Sequence, residues 1–363
     1  MQELIRSPLA DYHLAQGATL AEYRGGLVPA RFTDPRAEHR AVREAAGLLD
    51  FSFRAKFAVT GADRVRFLQG MVSNDVKSLA PGGGVYATIL NAQGQILADP
   101  RVYCDPDRFV IDTAADLREK VMQALKRHII ADKVALEPLA IYALAFQGPR
   151  ARPLLEKTLH IDLPELAEHG HFRTNFAGFP LRVVRASSTG EDGYEVWMAD
   201  KALMGVWGAA CGQAPTYEML PCGTEALETL RIEAGIPCYG ADLGEDTLLL
   251  EAGLTNAVSF TKGCYIGQEI VERSRSRGRV NWKLVGLITS APEPPSAETK
   301  LISEGKEVGE VTSACASPTL QKTIALAYVR REAAAPGTKL VLASGVPAEV
   351  VALPFYRKTE TGN

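Results

Sequence analysis

Two successive stretches of this chain run through the same order of hydrophobic periods, and that order limits the fold more than any other feature. In the first, R-A-K-F-A-V-T (54–60) alternates like a strand, and A-D-R-V-R-F-L-Q-G-M-V (62–72) has the three-to-four spacing of a helix. After the P-G-G-G turn (81–84), V-Y-A-T-I-L (85–90) and Q-I-L-A-D-P-R-V-Y (95–103) read as a hairpin across N-A-Q-G. A strand at 108–113 leads into a helix with Thr113 as its expected N-cap, and K-V-A-L-E-P-L closes the unit as a strand. The second stretch repeats the order: strand 141–146, helix 149–159, strand 180–186, turn S-S-T-G-E-D-G, strand 194–198, helix 201–212, then Y-E-M-L. Such a repeat predicts a duplicated α+β module.

The flanks complete the outline. Asp34-Pro35 opens a helix that Gly47 is expected to stop, and A-L-E-T-L-R-I-E-A-G (226–235) is a helix ended by Gly235 and Pro237. Beyond Arg279, short strands and turns at S-E-G-K and A-P-G-T predict an all-β domain, a small barrel. The expected domains are 1–139, 140–278 and 279–363, in the α+β class.

Composition excludes several partners. Among 363 residues, 40 basic and 43 acidic side chains leave a net charge of −3, which gives no global field to attract nucleic acid or an anionic membrane. No run of 18 apolar residues occurs, and M-Q-E-L-I-R-S-P-L-A-D-Y lacks the apolar region of a secretory signal, so a cytoplasmic setting is expected. The six cysteines show no C-x-x-C and no zinc-ligand spacing, so free thiols and no metal site are expected.

Local chemistry gathers in K-G-C-Y-I-G-Q-E-I-V-E-R-S-R-S-R-G-R-V (262–280). A helix expected near Ile266 would set its positive end close to Cys264, and Lys262 adds a cation; both favour a thiolate. The other reading is a buried thiol in a glycine-rich turn. If S-R-S-R-G-R is extended, Arg273, Arg275, Arg277 and Arg279 share one side and could cradle an acidic tail; a solvated loop is the alternative. Glu195, which begins a strand after the turn, could accept paired N–H groups from a heterocycle or lie on the surface. Asp99 precedes Pro100, which marks an edge or a bulge.

These segments resemble the aminomethyltransferase superfamily, nearly end to end. S-P-L-A-D-Y-H-L-A-Q-G-A (7–18), T-G-E-D-G-Y-E (189–195), L-R-I-E-A-G-I-P-C-Y-G-A-D (230–242) and T-S-A-C-A-S-P-T-L-Q-K-T-I-A-L-A-Y-V (312–329) are similar to glycine-cleavage T-proteins. K-G-C-Y-I-G-Q-E (262–269) is similar to the signature of the YgfZ-type folate-binding branch. The resemblance implies a three-domain cloverleaf, two α+β modules and a C-terminal β-barrel around a central folate channel. It also implies tetrahydrofolate as ligand, with Glu195 holding the pterin and Asp99 beside the folate nitrogens.

Candidate folate contacts are then Glu195, Tyr194, Lys262, Tyr265, Gln268, Arg275 and Arg277, and the candidate catalytic residues are Cys264 and Asp99. Ala98-Asp99 replaces the usual Asp-Asp of T-proteins, and Ala226-Leu227-Glu228 their Ala-Arg-Asp. With the YgfZ signature, these departures favour a folate-dependent factor that maintains iron-sulfur client proteins. A tetrahydrofolate-dependent aminomethyltransferase is the alternative, and a folate-sensing adaptor a third.

Overall fold

A computed structural model of the chain describes residues 4–276, 278 and 280–358. Two compact units emerge, one from Met1–Ile89, Ala98–Leu227 and Ala257–Tyr265, the other from Leu90–Leu97, Glu228–Asn256 and Ile266–Asn363.

The first unit holds both α+β sheets. In the five-stranded sheet, Arg54–Thr60 lies between Ala135–Leu139 and Phe109–Ala114, followed outward by Arg101–Cys104 and Gly84–Tyr86. All its pairings are antiparallel. The six-stranded sheet runs His171–Phe176, Phe179–Arg185, Gly193–Met198, Tyr142–Gln147, Ala46–Asp50, Met219–Cys222. Helices Ala151–Leu159 and Asp200–Gly212 cover one face through Leu154, Leu155, Leu203, Val206 and Trp207, all essentially without solvent contact. Each such large apolar side chain contributes about 1.5–3 kcal/mol by leaving water.

The repeat is real in order but differs in one slot. In the first sheet the strand beside the opening strand is the last of its unit, Ala135–Leu139; in the second that place goes to Ala46–Asp50, from far upstream. The helix opened by Asp34, whose side chain accepts from the Arg36 N–H at 3.1 Å, ends at Glu44 rather than Gly47. Ala46–Asp50 is buried at every position, so it lacks the alternation that marks a half-buried strand. Thr113 is likewise no helix cap: it lies inside strand Phe109–Ala114, and a 3-10 turn at Ala115–Leu117 leads into helix Arg118–Lys126.

The second unit contains the predicted barrel, closed in the order Trp282–Thr289, Lys322–Arg330, Lys306–Ser317, Lys300–Ser303, Lys339–Leu342, Pro347–Val351. Its core includes Leu287, Leu301, Val311, Val329, Leu340 and Val350. Buried polar side chains tie the L-R-I-E-A-G segment to it. Arg231 donates to Asp242 and Ser313, each at 2.8 Å, and Glu233 accepts from Ser317 and Thr319. Among the described residues no helix is long and apolar enough to cross a membrane.

Candidate functional site

Glu195 owes its position to the turn before it. Gln147 accepts from the Ser188 N–H at 3.0 Å and from the Thr189 hydroxyl at 3.2 Å, and donates to the Ala186 carbonyl at 3.0 Å. Strand Gly193–Met198 then starts at a glycine with no room for a side chain: a Cβ there would lie 2.4 Å from the Ala186 carbonyl oxygen. Two residues on, Glu195 is fully buried, with one oxygen accepting from Arg101 Nη1 at 2.5 Å and the other from Trp197 Nε1 at 2.8 Å. Trp197 shares its face by strand alternation. Tyr194 points the other way, into the apolar core with Leu48, Phe146 and Leu203.

Arg101 comes from the five-stranded sheet and belongs to a row of opposed charges. Cross-strand register puts Lys56 opposite Asp112, and Asp112 opposite Arg101. Arg54 Nε donates to Asp112 at 2.7 Å, and the Lys56 ammonium lies 3.3 Å from its other oxygen. Burial pushes the Asp112 carboxyl up, but Arg54, Lys56 and Arg101 outweigh it and hold the group below the usual carboxylate range. Lys56, wholly enclosed, is lowered by burial against the pull of Asp112 and Glu195. Glu195 extends this row across to the second sheet.

Asp99 sits half-buried, ahead of Pro100, in the two-residue gap between strand Ile96–Ala98 of a two-stranded sheet and strand Arg101–Cys104 of the five-stranded sheet. The Tyr86 hydroxyl donates to it at 3.1 Å. Burial raises the Asp99 carboxyl above its ordinary value, only partly opposed by Arg24, Arg54, Tyr86 and Arg101. Tyr86 is itself pushed well up, by burial and then by Asp99.

Tyr103, two residues beyond Arg101, packs edge-on against Trp197 with ring centres 4.8 Å apart. Its hydroxyl is buried and has no hydrogen-bond partner among the described residues. Burial, then the Arg101 guanidinium, lowers His169 to about 3, so this imidazole is neutral.

The 262–269 stretch has a different character. Cys264 is exposed, which removes the buried-thiol alternative. The Lys262 ammonium turns inward, donating to the carbonyls of Val72 at 2.6 Å and Asn74 at 2.9 Å and lying 5.0 Å from the centre of the Tyr265 ring. Burial lowers this lysine to about 8, against the attraction of Asp75. The helix begins at Gln268, four residues after Cys264, and continues to Ser276. Arg273 and Arg275 therefore lie about 200° apart around a helix rather than on one side of an extended segment. Arg275 lies 3.7 Å from Glu272, at the surface. Arg277 and Arg279 fall outside the described residues.

Reading the sequence alone missed Arg101, Trp197, Tyr86, Tyr103, Lys56 and Asp112. The usable signal was charge inside strand patterns: Lys56 and Asp112 occupy inward positions of R-A-K-F-A-V-T and F-V-I-D-T-A.

Residues 9–262 match the family described as GCVT N-terminal domain, and residues 283–357 the glycine cleavage T-protein C-terminal barrel domain. The chain is 36% identical to an aminomethyltransferase of Streptomyces coelicolor, covering 98% of both chains. It is 34% identical to one of Bacillus cytotoxicus, covering 99% of this chain and 100% of the other. The crystal structure of the glycine cleavage system aminomethyltransferase T from Bartonella henselae superposes with a TM-score of 0.91 at 26% identity, covering 99% of this chain and all of that one.

These findings overturn the expectation of a maintenance factor for iron-sulfur proteins. That expectation rested on eight residues, 262–269, and on departures at two short segments, 98–99 and 226–228, whereas the full-length relatives carry the aminomethyltransferase name. The local structure adds no support, since Lys262 is committed to backbone carbonyls.

Proposed function

Since the chain belongs to the glycine cleavage T-protein family, we propose that it is a tetrahydrofolate-dependent aminomethyltransferase acting on an aminomethyl group carried by a lipoyl protein. The observation that supports this reading is the placement, in one unit, of the buried Glu195 carboxylate and the half-buried Asp99 carboxylate, with Arg101, two residues beyond Asp99, reaching Glu195 on the six-stranded sheet. Tetrahydrofolate would supply the two nitrogens that take up the methylene group, releasing ammonia and the carrier thiol.

The residues fit such a ligand. Glu195 has acceptor capacity beyond its bonds to Arg101 and Trp197, because a carboxylate offers about four lone-pair positions. The partnerless Tyr103 hydroxyl offers a further polar contact in the same cluster. Glu195 binds and orients the heterocycle; Asp99 receives a proton from a reacting nitrogen and passes it on toward the leaving ammonia. A carboxyl whose affinity for protons is raised by burial suits this exchange better than an ordinary one. Tyr86 holds the Asp99 carboxylate in place through its hydroxyl.

Cys264 has no step in this reaction. Its segment supports a more limited proposal, a local kinship of residues 262–269 with YgfZ-type proteins. A cytoplasmic setting fits the six free cysteines.

The test is direct: supply an aminomethyl-lipoyl carrier protein and tetrahydrofolate, and follow methylene-tetrahydrofolate and ammonia. Stoichiometric formation of both is expected. No turnover at saturating tetrahydrofolate would remove the proposal.

A further inference from the structure

Arg101 covers the buried Glu195 carboxylate. Its guanidinium lies 2.5 Å from Glu195 Oε1, while its second nitrogen reaches the Ser188 hydroxyl at 3.4 Å and its first lies 3.9 Å from Asp112 Oδ2. The Glu195 side chain has no solvent contact, whereas that of Arg101 retains 14%. A heterocycle that gives N–H groups to Glu195 either displaces Arg101 or uses the remaining lone pairs and lies beside the guanidinium. Displacement alone leaves the cation with Asp112, which Arg54 and Lys56 already occupy. Lying beside it calls for something that arginine can recognise, and a guanidinium only donates.

Resting on the folate reading above, we propose that Arg101 is a specificity-determining residue. It makes the Glu195–Arg101 pair demand an acceptor beside the N–H donors that Glu195 takes. A 2-amino-4-oxo heterocycle meets the pair, giving its N–H groups to the carboxylate and its carbonyl oxygen to the guanidinium. The 2,4-diamino counterpart sets an amino group against Arg101, donor against donor, and is refused. Discrimination then comes from a built-in mismatch as much as from attraction.

The experiment titrates tetrahydrofolate and its 4-amino-4-deoxy analogue into the wild-type protein and into Arg101→Gln and Arg101→Lys. Glutamine keeps a donor for Glu195 but can turn its carbonyl toward an amino group; lysine, like arginine, only donates. Wild type and Arg101→Lys are expected to favour the oxo ligand by about 10–100-fold, the range of a lost hydrogen bond to a charged group. Arg101→Gln should bring the two within about threefold. Comparing ratios between variants cancels the difference in ring basicity.

Equal binding of both ligands by wild type, or an Arg101→Gln ratio equal to the wild-type ratio, would overturn the inference and leave the folate reading standing. If wild type binds neither ligand, the folate reading falls and the inference with it. The wild-type preference needs no variant, so a folding defect in Arg101→Gln does not spare the inference.

Discussion

Two carboxylates of the first unit, Glu195 and Asp99, are prepared in opposite ways. Glu195, on an inner strand of the six-stranded sheet, is fully buried and bonded at both oxygens, by a cation and by an indole N–H. Asp99, half-buried just ahead of strand Arg101–Cys104 of the five-stranded sheet, receives one hydrogen bond from a neutral hydroxyl and has its proton affinity raised by partial burial. A carboxylate held by strong donors is a fixed acceptor, whereas one left short of donors is ready to exchange a proton. Under the proposed function, binding would fall to Glu195 and proton handling to Asp99 because their surroundings differ in this way.

Changes at Glu195 should have the largest effect. Glu195→Ala strands Arg101 in a nearly buried place, which costs about 3 kcal/mol, the lower end for a broken buried pair because Asp112 lies 3.9 Å away. Tetrahydrofolate binding should then fall below detection in a calorimeter, with thermal unfolding reporting the stability loss. Nearly as large, Asp99→Asn should lower kcat about 100-fold to 10,000-fold with little change in KM for tetrahydrofolate. A KM effect there would show that Asp99 binds rather than reacts.

A smaller effect separates Asp99 from Asp112 by pH. The raised Asp99 carboxyl contributes stability below its ordinary value of 3.8, and that contribution is lost as pH rises through the raised folded value. Asp112 is lowered, so its contribution is present above 3.8 and lost as pH falls through the folded value. Denaturant unfolding across pH should therefore show Asp99→Asn gaining on wild type as pH rises. Asp112→Asn should lose ground over the same change. Parallel curves would contradict the contrast between the two acids. The smallest change is expected for Cys264→Ala, an exposed substitution outside the reaction, with turnover within about twofold of wild type and stability within about 0.5 kcal/mol.

The sequence exposed these two acids unequally. Glu195 follows a glycine-rich turn and Asp99 precedes Pro100, features that left a surface position open for the first and an edge or bulge for the second, so it was the family resemblance that singled both out. Arg101 was not singled out: in D-P-R-V-Y it has the look of a solvent-facing strand residue, and only register with Asp112 and contact with Glu195 turn it inward. Strand His171–Phe176 escaped because it is a half-exposed edge with mixed side chains, and Ala46–Asp50 because burial on both faces erases alternation. Extended geometry failed at Arg273 and Arg275 because Q-E-I-V-E-R-S-R-S pairs helix-forming residues with an i,i+3 contact between Glu272 and Arg275. The barrel was legible as short strands and turns; its closure depends on non-local pairing between Trp282–Thr289 and Pro347–Val351.

The division of labour between the two acids is tested most directly by steady-state kinetics of Asp99→Asn and Glu195→Gln, measured side by side with tetrahydrofolate varied against an aminomethyl-lipoyl carrier. The account predicts a fall in kcat at near-constant KM for Asp99→Asn and a rise in KM at largely retained kcat for Glu195→Gln. The reverse assignment, or the same change in both variants, would contradict it.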